Sequence, residues 1–367
     1  MLKSILYISL ILALAILTGS WGASGHRKIS TNVALSYNEA MHEFHTWTEF
    51  LSDHASDADY RKDDDPDEAP RHYIDIDSYY SFLLLHRIPQ TLDSAITLYG
   101  NSFVYDNGIL PWATESTFNA LKQAFIARDF EYAKVLAADL GHYVGDGHMP
   151  LHITRNYDGQ YTGNNGIHSR YESSMVNAFI DEIIYSGDSI SHIENVNAYI
   201  FEYLYSNYQY IDSILMADDY AKDLAGSTSS MAYKTALWDK TGHFTIKLMH
   251  DASHALCELI YTAWVDAGSP AVGPSSKEEL TVQDITSVFD DPSSDQIIIR
   301  FTAQKPEVVS FSITDMLSGK ELSIGKKYVV PGAQMYNFDS SELPSGVYVL
   351  LIRSSNGQSS RKFFHAR

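Results

Sequence analysis

A chain of 367 residues with 45% apolar content is long enough for two domains with substantial cores and is not a disordered polymer. Its formal net charge of −20 argues against long-range attraction to nucleic acid or anionic lipid by the surface as a whole, but not against a cleft where bound cations reverse the local sign. The single cysteine, Cys257, excludes an internal disulfide; within the apolar run ALCELIYTAW it reads as a small buried hydrophobe.

In chain order, the first segment is MLKSILYISLILALAILTGS. Lys3 gives a positive start, Ile5 to Leu17 a short apolar run, and Thr18-Gly19-Ser20 a small-residue end. The run is short for a membrane span, so residues 1–20 read as a signal peptide cut after Ser20, leaving Trp21 as the first residue of an exported protein. Such a protein, lacking disulfides, must be held by packing or by metal. From 21 to 268 the texture is helical: FNALKQAFIARDF, YAKVLAADLGHYV and HFTIKLMHDASHALCELIYTAWVDAG repeat apolar residues at three and four. Asp129 and Glu131 put negative charge where the second of these begins, as a helix N-terminus favours. SPAVGPSSKEELTVQD then reads as a linker over 269–284. Beyond it QIIIRF, VVSFSIT, KKYVV and GVYVLLIRS, separated by Gly- and Ser-containing turns, predict a small all-β sandwich over 285–367. The expected architecture is therefore an all-α domain followed by a small all-β domain.

The segment GHYVGDGHMPLH at 141–152 concentrates ligand-type side chains. His142 and Asp146 are four apart and share a helix face; Pro150 ends that helix and His152 follows in the turn. GIHSRYESS repeats the spacing with His168 and Glu172. HASDADYRK offers Asp57 and Asp59, RHYIDID offers His72, and WGASGH offers His26. Imidazole with carboxylate is the donor set zinc takes where thiolate is absent, and paired i,i+4 donors on separate helices converge inside bundles to build multi-metal sites. His148 lies two residues from Asp146 and is expected at the surface. His250 and His254 are expected as packing or surface groups, and the aromatic run YIFEYLYSNYQY at 199–210 as core.

WGxxGH at 21–26, AxxAD at 55–59, HYID at 72–75, HxxxDxxxPLH at 142–152 and IHxxxE at 167–172 together resemble the zinc-dependent phospholipase C superfamily, which also contains the single-strand-specific zinc nucleases. The resemblance covers about 21–268 and implies a mostly helical domain with three zinc ions in a cleft. By motif it implies one zinc on Asp59, His72 and His142. A neighbouring zinc falls on His26 and the free α-amine and carbonyl of Trp21, with Asp146 bridging the two. The remaining zinc falls on His152, His168 and Glu172. A free amine at Trp21 requires removal of the preceding residues. The nuclease branch usually has Trp-Ala-Asp where this chain has Asp57-Ala58-Asp59, which leaves Asp57 as the alternative to Asp59. Nucleases usually close the last motif with Asp and precede it with a glycine-rich stretch; Glu172 and NYDGQYTGNNG lean toward the phospholipase branch.

The implied function is a secreted zinc-dependent phosphodiester hydrolase of the phospholipase C type, in which two close zinc ions acidify a bridging water for in-line attack on phosphorus while Asp59 or Asp146 orients it. The alternatives are a single-strand-specific nuclease and a non-catalytic, zinc-stabilised binding protein. At the C-terminus, FDDPSSDQIIIRF, SITDMLSGKEL, FDSSELPSGVYVLLI and the basic end RKFFHAR resemble a type IX secretion sorting domain. That resemblance implies export through the periplasm to the medium or the cell surface, with the type IX machinery as partner. Nothing in the sequence indicates a stable protein partner.

Overall fold

The computed structural model describes residues 21–63, 65–272, 284–291, 296–303, 306–354 and 357–365. The signal peptide expected at 1–20 and most of the linker expected at 269–284 lie outside the described residues. Among the described residues the helical body precedes seven strands: β1 Asp284–Asp291, β2 Gln296–Ala303, β3 Glu307–Asp315, β4 Glu321–Val329, β5 Gly332–Asp339, β6 Gly346–Ser354 and β7 Gly357–His365.

Three long helices frame the body. Leu110–Ala127 starts with Pro111 in its first turn, where the missing N–H costs nothing. Phe130–Gly147 begins at Asp129, whose Oδ1 accepts from Tyr132 N at 3.1 Å. It stops at Gly147, and Pro150 opens the short 3₁₀ turn Pro150–His152, so the expected break is observed. The final helix, Met231–Asp266, runs for 36 residues and is capped by the Ser230 side chain. The core is built where these helices meet the first helix, Gly22–Asn32, around Trp21, Ile29, Phe44, Trp47, Phe125, Leu256 and Trp264. Cys257 is fully buried there as a free thiol. Close approach is set by glycine: a Cβ on Gly145 would stand 2.9 Å from the His26 ring and one on Gly141 2.9 Å from Leu256. These two glycines lie on the helix that carries His142 and Asp146; Gly145 admits the first helix against it and Gly141 the final helix.

The C-terminal strands form two antiparallel sheets, β1-β2-β5 and β4-β3-β6-β7. Ile297, Ile299 and Phe301 of one sheet face Phe311, Ile313, Leu350 and Ile352 of the other. This is the expected small β-domain. β6 reads as the continuous apolar run GVYVLLIRS because it is covered on both faces: Leu350 and Ile352 point into the sandwich, whereas Val349 and Leu351 join Met316 in the helical core. β1, β5 and β7 carry no clean apolar alternation and are not evident from sequence. β5 alternates between exposed and half-buried positions at the edge of its sheet.

Candidate metal centre

Nitrogen and oxygen donors converge in three groups: His26, His142 and Asp146; Asp59, His72 and His142; and His152, His168 and Glu172. Within each group one donor atom per residue lies within 4.8 Å of the others. The helix Phe130–Gly147 supplies His142 and Asp146. The short helix Asp57–Arg61 supplies Asp59, and the 3₁₀ turn Ala69–His72 supplies His72. Asp146 sits between the first two groups: Oδ1 is 3.4 Å from His26 Nε2, and Oδ2 is 3.0 Å from His72 Nδ1 and 3.4 Å from His142 Nε2. Asp59 Oδ1 is 3.6 Å from His72 Nδ1 and 3.5 Å from His142 Nε2. In the third group Glu172 Oε2 is 3.5 Å from His152 Nε2 and 3.2 Å from His168 Nε2.

The imidazoles are oriented from behind. His142 Nδ1 meets Ala55 O at 2.8 Å, His152 Nδ1 meets His72 O at 2.6 Å, and His168 Nδ1 meets Tyr157 O at 3.2 Å. A carbonyl only accepts, so these Nδ1 atoms carry the proton and each ring turns Nε2 toward its group. His72 is reversed: Nε2 donates to Glu68 Oε1 at 3.2 Å and Nδ1 faces the group. This arrangement of outer partners is what ligating histidines require. The donor spacings fit as well. Zinc–nitrogen bonds of about 2.0–2.1 Å in a tetrahedron put neighbouring donor atoms about 3.3–3.4 Å apart. The distances above scatter around that value, so the residues present fit zinc.

Electrostatics follow from crowding. Burial opposes charge on His142, but Asp146 and Asp59 outweigh it and push the imidazole up to about 9. Burial alone would raise Asp59, Asp146 and Glu172; the neighbouring histidines overcome it and hold all three carboxyls below their usual range. Four ionised or partly ionised carboxylate and imidazole side chains packed in the interior need a compensating cation or a proton.

Other candidates fall outside the groups. Asp57 turns away and pairs with His54 at 2.7 Å near the surface. Trp21 is fully buried with φ 42°, and its indole Nε1 donates to Gly145 O at 2.7 Å. Its backbone N–H donates to Glu172 Oε2 at 3.1 Å, beside the third group, and its carbonyl accepts from Gly25 N at 3.2 Å. Both atoms that the resemblance assigns to the His26 ion thus have protein partners in the full-length chain. His148, expected at the surface, is buried: it caps the helix end, where its ring folds back so that Nδ1 meets Val144 O at 2.8 Å and stacks on Tyr203 at 4.4 Å. His250 and His254 pack at Tyr185 and Ser189, as expected.

Two features are not evident from sequence. Behind His72 lies a buried charge network: Glu68 accepts from Arg61 at 3.1 Å and from the Tyr143 hydroxyl, and Arg61 also donates to Asp139 at 2.9 Å. In front, Lys62 Nζ is 2.6 Å from Asp59 Oδ1 and lines a cavity of about 620 Å³ with Tyr73, Asp75, Asp106, His152, Tyr157, Asp158 and His168. The usable signals are spacings: Glu68 is four before His72, and Lys62 three after Asp59.

Residues 287–365 match the family model described as "Secretion system C-terminal sorting domain". The chain is exported, to the medium or the cell surface, and its β-domain is the sorting module that engages the secretion machinery. No curated protein matches the sequence. Among solved structures the chain is similar to the alpha-toxin of Clostridium perfringens from an avian strain, at 11% identity and TM-score 0.41 over 95% of this chain and 98% of that one. It is also similar to the alpha toxin of Clostridium absonum, at 11% identity and TM-score 0.41 over 96% and 97%.

Proposed function

We propose that the exported chain is a zinc-dependent phosphodiesterase of the phospholipase C kind, holding three ions: one on Asp59, His72 and His142, a neighbour on His26 with Asp146 shared between the two, and one on His152, His168 and Glu172. The observation that carries this reading is the orientation of four imidazoles, each held through one nitrogen by a carbonyl or carboxylate while the other faces its donor group. Purely structural histidines have no reason to aim in concert, and a binding protein stabilised by one ion has no use for three donor groups, two of which reach a common cavity through His72, His152 and His168. When bound, zinc supplies Lewis acidity and activates water near neutral pH.

The chain's own side chains then divide the work. Asp59, the least buried carboxylate of the first two groups, orients the attacking water. Lys62, released from its ion pair once Asp59 serves the metal, offers its ammonium to a non-bridging phosphoryl oxygen. Asp146, fully buried, keeps the first two groups in fixed relation. On the cavity wall, Asp75, Asp106 and Asp158 stand beside Tyr73 and Tyr157. Aromatic faces with carboxylates recognise a cationic headgroup and repel a polyanionic strand. This wall favours a phospholipid such as phosphatidylcholine over single-stranded nucleic acid.

The test is turnover by the protein beginning at Trp21, on phosphatidylcholine vesicles and on single-stranded DNA, with and without chelator. Release of phosphocholine and diacylglycerol that stops in chelator is expected. Cleavage of DNA alone would transfer the assignment to a nuclease, and no turnover of either by zinc-replete protein would leave a binding protein.

A further inference from the structure

The third donor group hangs on one short, irregular turn. His168 lies in the helical segment Ile167–Ser169, and Glu172 in the π-helical turn Arg170–Met175 that follows it. π turns are rare and persist where surrounding structure enforces them. The enforcement here centres on Arg170, two residues after His168 and two before Glu172. Residues two apart point to opposite sides of a helix, so Arg170 projects away from the donors toward the two C-terminal helices. All three of its guanidinium nitrogens are engaged. Nη2 donates to Asp218 Oδ1 at 2.8 Å and Oδ2 at 3.0 Å, and to Asn164 O at 3.1 Å. Nη1 donates to Asn165 O at 2.7 Å, and Nε to the Tyr233 hydroxyl at 2.9 Å. Asp218 is fully buried and is itself held by Asn164 Nδ2 at 2.8 Å, by the Tyr233 hydroxyl and by Lys222. A Cβ on Gly166 would fall 2.6 Å from Arg170 Nη1, so the loop backbone is shaped to admit the guanidinium.

None of these groups belongs to the elements that carry His26, Asp59, His72, His142 or Asp146. We propose that Arg170 and Asp218 form a positioning clamp that holds His168 and Glu172 in register for the third ion alone. The clamp fixes the turn from its outer side to Ile211–Ala225 and Met231–Asp266, and the donors are aimed as a consequence. Its loss releases the third ion and leaves the other two in place. The inference rests on the three-ion reading above.

The test strips the protein beginning at Trp21 of metal and returns zinc against a competing chromophoric chelator, counting ions and resolving their affinities. Asp218→Asn keeps the volume of the side chain but removes its charge. It is expected to leave two ions bound as before and to weaken the third by about 10–100-fold, the range for outer partners of ligands. Arg170→Lys keeps a positive charge without the bidentate fork and is expected to show the same selective loss. Should Asp218→Asn not fold, Arg170→Lys decides, and two normally bound ions report that the fold is intact. Lys247→Ala removes a surface cation, paired with Asp251, from the same helix Met231–Asp266 and is expected to leave the third affinity unchanged. Weakening of all three ions together, an unmoved third ion in both clamp variants, or an equal effect of Lys247→Ala would overturn the clamp. A native protein that takes fewer than three ions overturns the three-ion reading and the clamp with it.

Discussion

Glu68→Gln probes the charge network behind His72. Glu68 is 1% exposed and accepts from His72 Nε2, Arg61 Nε and the Tyr143 hydroxyl. Burial opposes its charge, but His72 and the Arg61 and Arg71 guanidiniums hold its carboxyl well below the usual range. The substitution keeps the shape and removes the charge. Breaking a buried pair costs about 3–5 kcal/mol when the partner is left uncompensated. Arg61 retains Asp139 at 2.9 Å, so the lower end applies, about 3 kcal/mol. For a body of this size that is roughly 6–12 °C in melting temperature. The second effect acts on metal. An amide oxygen still accepts from His72 Nε2 but as a weaker acceptor, so the ion on His72 loses about tenfold in affinity, the lower part of the range for such partners. Calorimetry of chelated protein reads the first effect and zinc competition the second. A melting temperature that does not move together with unchanged zinc affinity would refute the ionised Glu68–His72 contact and the tautomer drawn from it.

In chelated protein His142 lies near 9 against 6.5 in the unfolded chain, so its stabilising contribution is complete below pH 6.5 and disappears as pH rises through 9. The chelated melting temperature is expected to fall across that window, and His142→Gln to remove this fall; a flat profile for the native side chain contradicts it. His168→Ala is expected to take up one ion fewer than the native protein by metal analysis, since methyl does not replace a ligand. Trp21 N lies 3.1 Å from Glu172 Oε2, so a protein beginning at Trp21 presents a free amine at the cluster and one beginning Met-Trp21 presents an amide. The extended form is expected to bind one zinc more weakly and turn over slower by about tenfold or more; equal zinc content and rate for the two would exclude the N-terminal nitrogen as a ligand.

The legible parts of the molecule are those whose signal is local. His142 with Asp146 and His168 with Glu172 are visible because four residues make about one helical turn, and the helix end at Gly147 is visible because Pro150 follows. The meeting of His26, Asp59 and His72 with that helix is a long-range event that spacing does not encode; the motif resemblance supplied it. His148 shows where periodic reasoning stops. Two residues from Asp146 implies another face only while the helix continues, and at its C-cap, φ −100° and ψ 2°, the ring turns inward instead. Arg61 and Asp139 lie on the helices Asp57–Arg61 and Phe130–Gly147, and Glu68 precedes the turn Ala69–His72, with no local pattern that marks them as buried. Their burial depends on one another and on Tyr143, a mutual compensation with no periodic signature. β5 escaped because an edge strand with half-buried and exposed positions has little apolar contrast to show.

The donor groups also join distant parts of the chain. His72 and Asp146 are 74 residues apart, and His72 and His142 are 70 apart. An ion seated among them closes loops of that size, which for a covalent cross-link removes about 4 kcal/mol of chain entropy from the unfolded state. In a protein whose one cysteine is buried and unpaired, the zinc proposed above would take the place that disulfides hold in other exported proteins. On the three-ion reading, the stability of this chain outside the cell is expected to be indifferent to reductants and tied instead to the free zinc concentration and acidity of its surroundings: thiols would leave it intact, whereas scavenging of divalent ions would unfasten it.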